Sequence, residues 1–395
     1  MAEWLDMDEE QYEAALATSE HGTFYHTRTW ARIVTASFPA LEDHSGLLRT
    51  SQGLHAIPLY CWKRAGGLLR TYHSSFPFLY GGPIPSTIEA WEALGKRLRN
   101  GIVSARLMGN PFAPEFAIPE STVAQSTAEE STAAQSTAAQ STAAQSTPNV
   151  SGAAQSTANV SGAAQSTANV SGAAQSTADE SAPRGGGHGA GTSPAIAAGS
   201  LGARTETTHL LDLPDSPDTY WEKVLTTQKR NDIRRLTRKG VTVETSTADE
   251  DVRQVYDFYQ RRMATWSQRP GIIYPLELYK KMMSIGGEAV RLYAVRFEGR
   301  LIGGTFVCRA YGKVHYHAGY FDDEAKRLRP NVLVQERIIR DAIEDGFHRY
   351  DFLPSAGIAS VERFKESFGG VRTMFPYWIR LGWLHRLAGR IRSTT

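Results

Sequence analysis

The chain has 395 residues, 43 lysines and arginines against 41 aspartates and glutamates, and two cysteines. At roughly 150 residues per domain that length allows two or three domains. The average conceals a segment apart, because Ser121–Glu180 runs as twelve five-residue units that each begin with Ser and hold no Leu, Ile, Lys, Arg or aromatic residue. Taking 116–205 as an insert of 90 residues leaves 305 to fold. The insert holds two arginines and five acidic residues, so the remainder carries a formal +5. These figures exclude a single 395-residue core, a wholly disordered chain and a disulfide scaffold.

In chain order, apolar spacing predicts helices over Asp8–Thr18 and Thr27–Ser37. Strands follow over Leu54–Trp62 and Leu68–Tyr72, parted by the turn-forming RAGG. Ser75–Pro85 (SFPFLYGGPIP) reads as a loop, Thr87–Arg99 as a helix and Ile102–Met108 as a strand. The pentads have no apolar face by which repeats could stack. They read as a flexible, disordered loop, with O-linked modification as a second reading. Replacing Ser121–Gly202 by a short Gly/Ser linker is expected to leave folding intact; a large drop in Tm by calorimetry would show the repeat to be structural.

After the insert, His209–Leu213 reads as a strand, and Pro217–Leu225 and Lys229–Lys239 read as helices, the second stopped by Gly240. Helices over Asp249–Trp266 and Pro275–Ile285 come next. Three strands follow, Ala289–Phe297, Leu301–Arg309 and Lys313–Gly319, with EGR and YGK at their hairpin turns. The chain closes with a helix over Asn331–Asp345, a strand over Arg349–Leu353, a short helix over Ser360–Phe368 and a strand over Thr373–Arg380. Hairpins feeding a helix and a returning strand indicate an α/β (α+β) fold of mixed, mostly antiparallel sheets flanked by helices. The resulting segments are 1–115, the insert 116–205, 206–380 and a basic amphipathic tail 381–395.

Cys61 and Cys308 lack any CxxC or metal-type spacing and read as thiols of a reducing compartment. The N-terminus MAEWLDMDEEQYEAAL lacks a secretion pattern, and no apolar run approaches the ~20 residues of a membrane span. The expected location is cytoplasmic.

Lys229–Lys239 (KRNDIRRLTRK) packs six basic residues into eleven positions, with Arg230, Arg234 and Arg238 on one helix face. It reads either as a solvated face or as a phosphate-binding one, since guanidinium groups contact phosphate bidentately. Arg327–Asn331 (RLRPN), with Arg327, Arg329 and Asn331, is either an anion site at a helix start or simply a proline-bearing start. In RFKESFGG, Lys365 either stabilises a developing negative charge or is a surface lysine. Asp351 in RYDF is a candidate base in a half-buried cleft, or a strand-end cap. His315 and His317 share a strand face, but with no third ligand at suitable spacing no metal is expected. The run RLGWLHRLAGRIR (380–392) suits a helix lying on an anionic membrane, or a terminal helix docked by its apolar face.

Taken in order, FYHTRTWARIV, LHAIPLYCW, LYGGPIP, the stretch from THLLDL through KRNDIRRLTRKGVTVE, the stretch from VRLYAV through HRYDFLPS, and RFKESFGG resemble the Fem-type transferases. These are the FemAB-like branch of the GNAT superfamily. The resemblance implies two GNAT-like lobes. Characterised members transfer an amino acid from aminoacyl-tRNA to an amine of a peptidoglycan precursor, and other branches acylate amines or hydroxyls of sugars or lipids. The family's FK pair corresponds to Phe364 and Lys365, its lysine helping to stabilise the reacting carbonyl. Asp351 matches the aspartate of the family's fDf strand, and Tyr316 and Tyr320 flank the strand that bears a substrate-facing tyrosine. Departures are present too. KRLRPNV has no glycine where an acyl-CoA-dependent GNAT shows a glycine-rich pyrophosphate loop. Near Trp30 only Arg28 and Arg32 stand where some members place a lysine against a nucleotide-sugar diphosphate. Asp249–Ile285, interrupted by Pro270 and Gly271, is too short for the coiled-coil arm of tRNA-using members.

The expected activity is acyl or aminoacyl transfer to an amine or hydroxyl by direct attack in a ternary complex, without a covalent intermediate. Catalytic roles are expected for Lys365, Asp351 and Tyr316. Substrate contacts are expected from Phe364, Tyr320, Arg230, Arg234, Arg327, Arg329 and Asn331. No cofactor or metal is expected to be bound; the donor co-substrate is acyl-CoA or aminoacyl-tRNA. The acceptor is a small molecule or envelope precursor, with tRNA and an anionic membrane met by the tail as further partners. A catalytically silent scaffold in envelope assembly and an RNA-binding module remain the alternatives.

Overall fold

A computed structural model of the chain describes residues 2–76, 79–98, 104–113, 202–265, 272–355, 358–380 and 382. The serine-led repeat, most of the basic C-terminal run, Trp266, Pro270 and Gly271 lie outside the described residues.

The first half opens with β1 (Glu3–Leu5), α1 (Glu9–Ala17) and α2 (Arg28–Ser37). Both helices start at side-chain caps: Asp8 Oδ1 accepts from the Gln11 amide at 3.1 Å and Thr27 Oγ1 from the Trp30 amide at 3.1 Å. Four strands follow, β2 (Leu41–Asp43), β3 (Gly46–Thr50), β4 (Gly53–Ile57) and β5 (Tyr60–Arg64). The single strand expected over Leu54–Trp62 is therefore two. Pro58 has no N–H to give a ladder, and the halves on either side of it belong to different sheets. Then come β6 (Leu69–His73), α3 (Ile88–Arg97) and β7 (Ser104–Met108).

The second half begins with β8 (Gly202–Asp212), whose first four residues lie inside the expected insert; a linker replacing the repeat must therefore stop before Gly202. A short helix, Pro217–Thr219, continues as a π turn over Tyr220–Val224. After it run α4 (Thr227–Arg238), β9 (Thr242–Ser246), α5 (Asp249–Thr265), α6 (Leu276–Gly286), β10 (Val290–Phe297), β11 (Arg300–Ala310) and β12 (Lys313–Phe321). The chain ends with α7 (Asn331–Glu344), β13 (Arg349–Asp351), α8 (Ala359–Glu366) and β14 (Val371–Arg380).

β1, β3 and β4 form a small sheet, and the other strands form one sheet of eleven in the order β2-β5-β6-β7-β14-β8-β13-β12-β11-β10-β9. All neighbours in it are antiparallel except β6 with β7 and β12 with β13. Each half therefore holds one parallel strand–helix–strand crossover, β6-α3-β7 and β12-α7-β13. β14 pairs with β8 along most of its length and with β7 through Tyr377–Arg380, so the last strand joins the lobes. All the described residues fall in one compact unit.

The sheet of the second lobe buries both faces. One meets α5 and α6 together with α2 of the first lobe, through Trp30, Tyr25, Val255, Tyr279 and Phe306. The other meets α4, α7 and α8 through Ile233, Leu236, Ile339, Tyr350 and Phe368.

Candidate functional site

β12 and β13 are paired only over Lys313–His315 and Arg349–Asp351. β13 ends there while β12 runs on to Phe321, so the two parallel strands part at the His315–Asp351 pair. Two local devices shape the point of divergence. In β12 the register slips between Val307–Tyr316 and Phe306–Ala318, leaving His317 as a bulged residue. The slip reverses the alternation: Tyr316 packs on the α7 face and Tyr320 on the α5–α6 face. Tyr316, expected to be catalytic, and Tyr320, expected to contact substrate, point to opposite sides of the sheet. The Tyr320 hydroxyl meets that of Tyr279 at 3.0 Å, and the Tyr316 hydroxyl lies over Gly319, where a Cβ would come within 2.0 Å of it.

At the end of β13, Leu353 adopts φ +56, a left-handed conformation that costs a leucine about 1–2 kcal/mol. Its carbonyl accepts a hydrogen bond from Lys365 Nζ. Lys365 is 4% exposed, and burial pushes its ammonium down to about 7, with Asp351, Glu362 and Glu206 opposing. α8 delivers it there because the helix stops sharply. Gly369, at φ +88, donates to the Glu366 carbonyl at 2.9 Å and Gly370 to the Lys365 carbonyl at 3.1 Å.

Asp351 does not face a half-buried cleft; it is fully enclosed. Its Oδ1 accepts from Tyr80 Oη at 2.9 Å, Thr208 Oγ1 at 3.0 Å and the Leu353 amide at 2.9 Å, and Oδ2 lies 2.8 Å from His315 Nδ1. The His315 ring rests against Tyr25 at 5.2 Å and its Nε2 has no hydrogen-bond partner. His317 Nδ1 lies 3.3 Å from the Tyr25 hydroxyl. On β8, His209 is buried with both ring nitrogens lacking hydrogen bonds, its Nε2 3.8 Å from Glu366 Oε1. Burial, with Lys365 and Arg372 beside it, pushes His209 down to about 4. Burial raises the Glu206 carboxyl.

The basic helix α4 divides by role. Arg230 is spent on structure, donating to the carbonyls of Trp221 (2.9 Å), Glu222 (3.1 Å) and Leu225 (2.8 Å). Arg234 is exposed, its guanidinium 5.4 Å from the Trp221 ring centre. Lys229, which looked like one more surface cation, is 6% exposed. Its ammonium stands 5.0 and 5.4 Å from the rings of Phe364 and Phe368, with neither a hydrogen bond nor an ion pair among the described residues. Burial lowers it, and Arg329 adds to the effect while Asp232 opposes it. Arg329 sits at φ +59 immediately before Pro330 and the start of α7, 3.8 Å from Asp232. Asn331 is buried in the first turn of α7, and Arg327 is exposed nearby. Lys229, Arg329, Phe364 and the start of α7 thus come together. Tyr320 and Asp351 face the opposite side of the sheet.

Arg28 and Arg32 are both engaged, Arg28 with Asp43 at 2.6 Å and Arg32 with Glu9. No cluster of three or more metal-ligating side chains occurs among the described residues, and no described helix is long and apolar enough to cross a membrane.

A family model described as an acetyltransferase (GNAT) domain matches residues 226–366, from the cap of α4 to the end of α8. That stretch is a GNAT acetyltransferase domain. The match covers little more than a third of the chain, so it speaks for this stretch alone. Among solved structures, the crystal structure of FemX matches with a TM-score of 0.60 at 11% identity, covering 98% of this chain and 99% of that one. A protein of unknown function from Bacteroides thetaiotaomicron matches with a TM-score of 0.50 at 8% identity, covering 96% and 100%. At such identities the likeness concerns the fold alone. A search of curated proteins finds no match.

Of the site residues, Lys229, His209, Glu206 and Tyr80 were not anticipated. Lys229 carries a weak signal: it stands one turn before Ile233 and two before Leu236, on the helix face that turns inward. His209, between Thr208 and Leu210 in an ordinary strand pattern, carries none.

Proposed function

We propose that the chain transfers an acyl group to an amine of an envelope precursor, sugar or lipid, with Lys365 polarising the reacting carbonyl. The observation that carries this reading is the Lys365 ammonium, buried where β13 ends and directed at a carbonyl oxygen, that of Leu353. A donor carbonyl offered in place of Leu353 would meet a desolvated cation already in position, the arrangement by which preorganised charge lowers a barrier. The protonated form acts, so this contribution falls as pH rises through about 7. Glu206, Glu362 and Asp351 surround Lys365 with negative charge, which draws a cationic amine better than a neutral hydroxyl; the bound ammonium then gives up a proton to solvent, and the neutral amine attacks. Attack would be direct, the residues supplying orientation and electrostatics.

For the donor, Lys229 and Arg329 beside the first turn of α7 suit the phosphates of an acyl-CoA. The buried, unpaired Lys229 ammonium fits an anion, and Arg329 takes the left-handed position that glycine more often fills. Lys229→Ala and Arg329→Ala are each expected to raise the donor KM about tenfold with kcat within about twofold, as for loss of one charge-assisted contact. Steady-state kinetics check this, and an unchanged KM in both variants removes the assignment. An RNA-borne donor is the second reading, favoured by the exposed Arg234, Arg235, Arg238 and Lys239 on α4. Mass spectrometry of acceptors after incubation with pooled acyl-CoAs, aminoacyl-tRNAs and envelope precursors decides between donors. Binding without any product would leave a scaffold role.

A further inference from the structure

We propose that Asp351 is a positioning residue for Lys365, and that the first lobe holds it in that role through Tyr80. The proposal rests on the reading of Lys365 given above, but its test does not need turnover.

Four donors converge on Asp351: Tyr80, Thr208, the Leu353 amide and His315, all within 3.0 Å. Three of these donors crowd onto Oδ1 and His315 meets Oδ2, and the carboxylate is fully enclosed, out of a substrate's reach, so Asp351 acts through its neighbours. The bond to the Leu353 amide folds the chain back just after β13. Leu353 is thereby held at φ +56, and that turn aims its carbonyl at Lys365 Nζ. A strained leucine persists only where surrounding contacts impose it, and the Asp351–Leu353 bond is such a contact. The carboxylate also favours the ammonium form of Lys365 against burial.

The same oxygen that holds Leu353 is held by Tyr80, which lies between β6 and α3 in the first lobe. Tyr80 is fully buried against Phe112 and Phe375, and its hydroxyl reaches Thr208 and Asp351, both at 2.9 Å. A continuous line of contacts, Tyr80–Asp351–Leu353–Lys365, thus runs from one lobe to the amine on α8 of the other. The other ionisable groups that bear on Lys365 are Glu362 on its own helix and Glu206 and His209 on β8, with Arg372 of β14 bearing on His209. None of these bonds to the Leu353 turn.

The test follows the Lys365 ε-carbon by NMR in protein labelled with carbon-13 lysine, its signal assigned by its absence in Lys365→Ala. Asp351→Asn keeps an oxygen for Tyr80, Thr208 and Leu353 but removes the charge. The Lys365 titration midpoint is then expected to move down by about one unit, the scale of losing one nearby opposite charge. A midpoint unchanged from wild type overturns the proposal. Tyr80→Phe keeps the ring in its aromatic setting and removes only the hydroxyl. In that variant the Leu353 amide is expected to exchange at least tenfold faster while core amides of both lobes stay protected. Should Asp351→Asn fail to fold, Tyr80→Phe decides alone, and unaltered Leu353 exchange sinks the idea. Lys365→Ala with full transfer activity would instead overturn the catalytic reading and leave the coupling between Asp351 and Lys365 measurable.

Discussion

Lys365→Met is expected to lower transfer at least tenfold while raising the melting temperature at pH 6. The activity loss follows from removing the one buried cation at the end of β13; comparable electrostatic groups contribute about 100-fold or more. The stability gain follows from linkage. Lys365 in the folded chain titrates near 7, against an ordinary value of 10.5. Between those two values the unfolded chain binds more protons than the folded one, so stability of the wild type rises with pH across that window. Below about pH 7 the cost of burying the ammonium is present in full, on the order of a few kcal/mol. Methionine has nearly the same length and no charge, so it removes that cost. Loss of the bond to the Leu353 carbonyl offsets only about 1 kcal/mol of the gain. The advantage of the variant should shrink as pH rises toward 10. Calorimetry of both proteins at pH 6 and pH 9.5 checks the sign. A methionine variant less stable than wild type at pH 6 would falsify the account of Lys365 as a strained, buried cation. A site that lowers stability in this way is what function at this position would explain.

Helix positions were legible because their signals are local. Capped by Asp8, Thr27 and Thr226, α1, α2 and α4 begin within two residues of the expected starts, and Gly240 follows α4 at φ +81. Short strands were not. β1, β2, β3 and β9 span only three to five residues each, and β9, Thr-Val-Glu-Thr-Ser, is mostly polar because it closes the sheet's edge. The placement of β14 between β7 and β8 could not be read either, since pairing partners so distant in sequence leave no periodic trace. The site was legible in proportion to how local its chemistry is. Phe364 and Lys365 stood out through the FK pattern. The bulge at His317 turned Tyr316 and Tyr320 to opposite faces, contrary to simple alternation. Arg230, a candidate substrate contact, instead meets the carbonyls of Trp221 and Glu222 in the π turn and of Leu225 just after it.

Trp30→Ala should unfold both lobes together rather than the first alone. The indole is completely buried on α2, donates to the Phe76 carbonyl at 2.9 Å, and packs against Phe24 and Tyr25 of its own lobe. It also meets His317 of the second lobe at 5.5 Å. Truncating a buried tryptophan costs about 3–5 kcal/mol through lost burial and the cavity left behind. For a folded body of this size that is a fall in Tm of about 5–15 °C. How the loss is distributed tests the architecture. With one sheet running from β2 to β9 and β14 pairing strands of both halves, the halves share their hydrogen bonds and the core around Trp30. A calorimetric scan should then show a single transition displaced as a whole, with Trp30→Phe, which keeps most of the packing but not the indole hydrogen bond, lying between the two. If only part of the heat absorption moved and a second transition stayed at the wild-type temperature, the lobes would be separate cooperative units. The contacts from Tyr25 and Trp30 to His317, and from Tyr80 to Asp351, would then be too weak to couple the first lobe to the amine on α8.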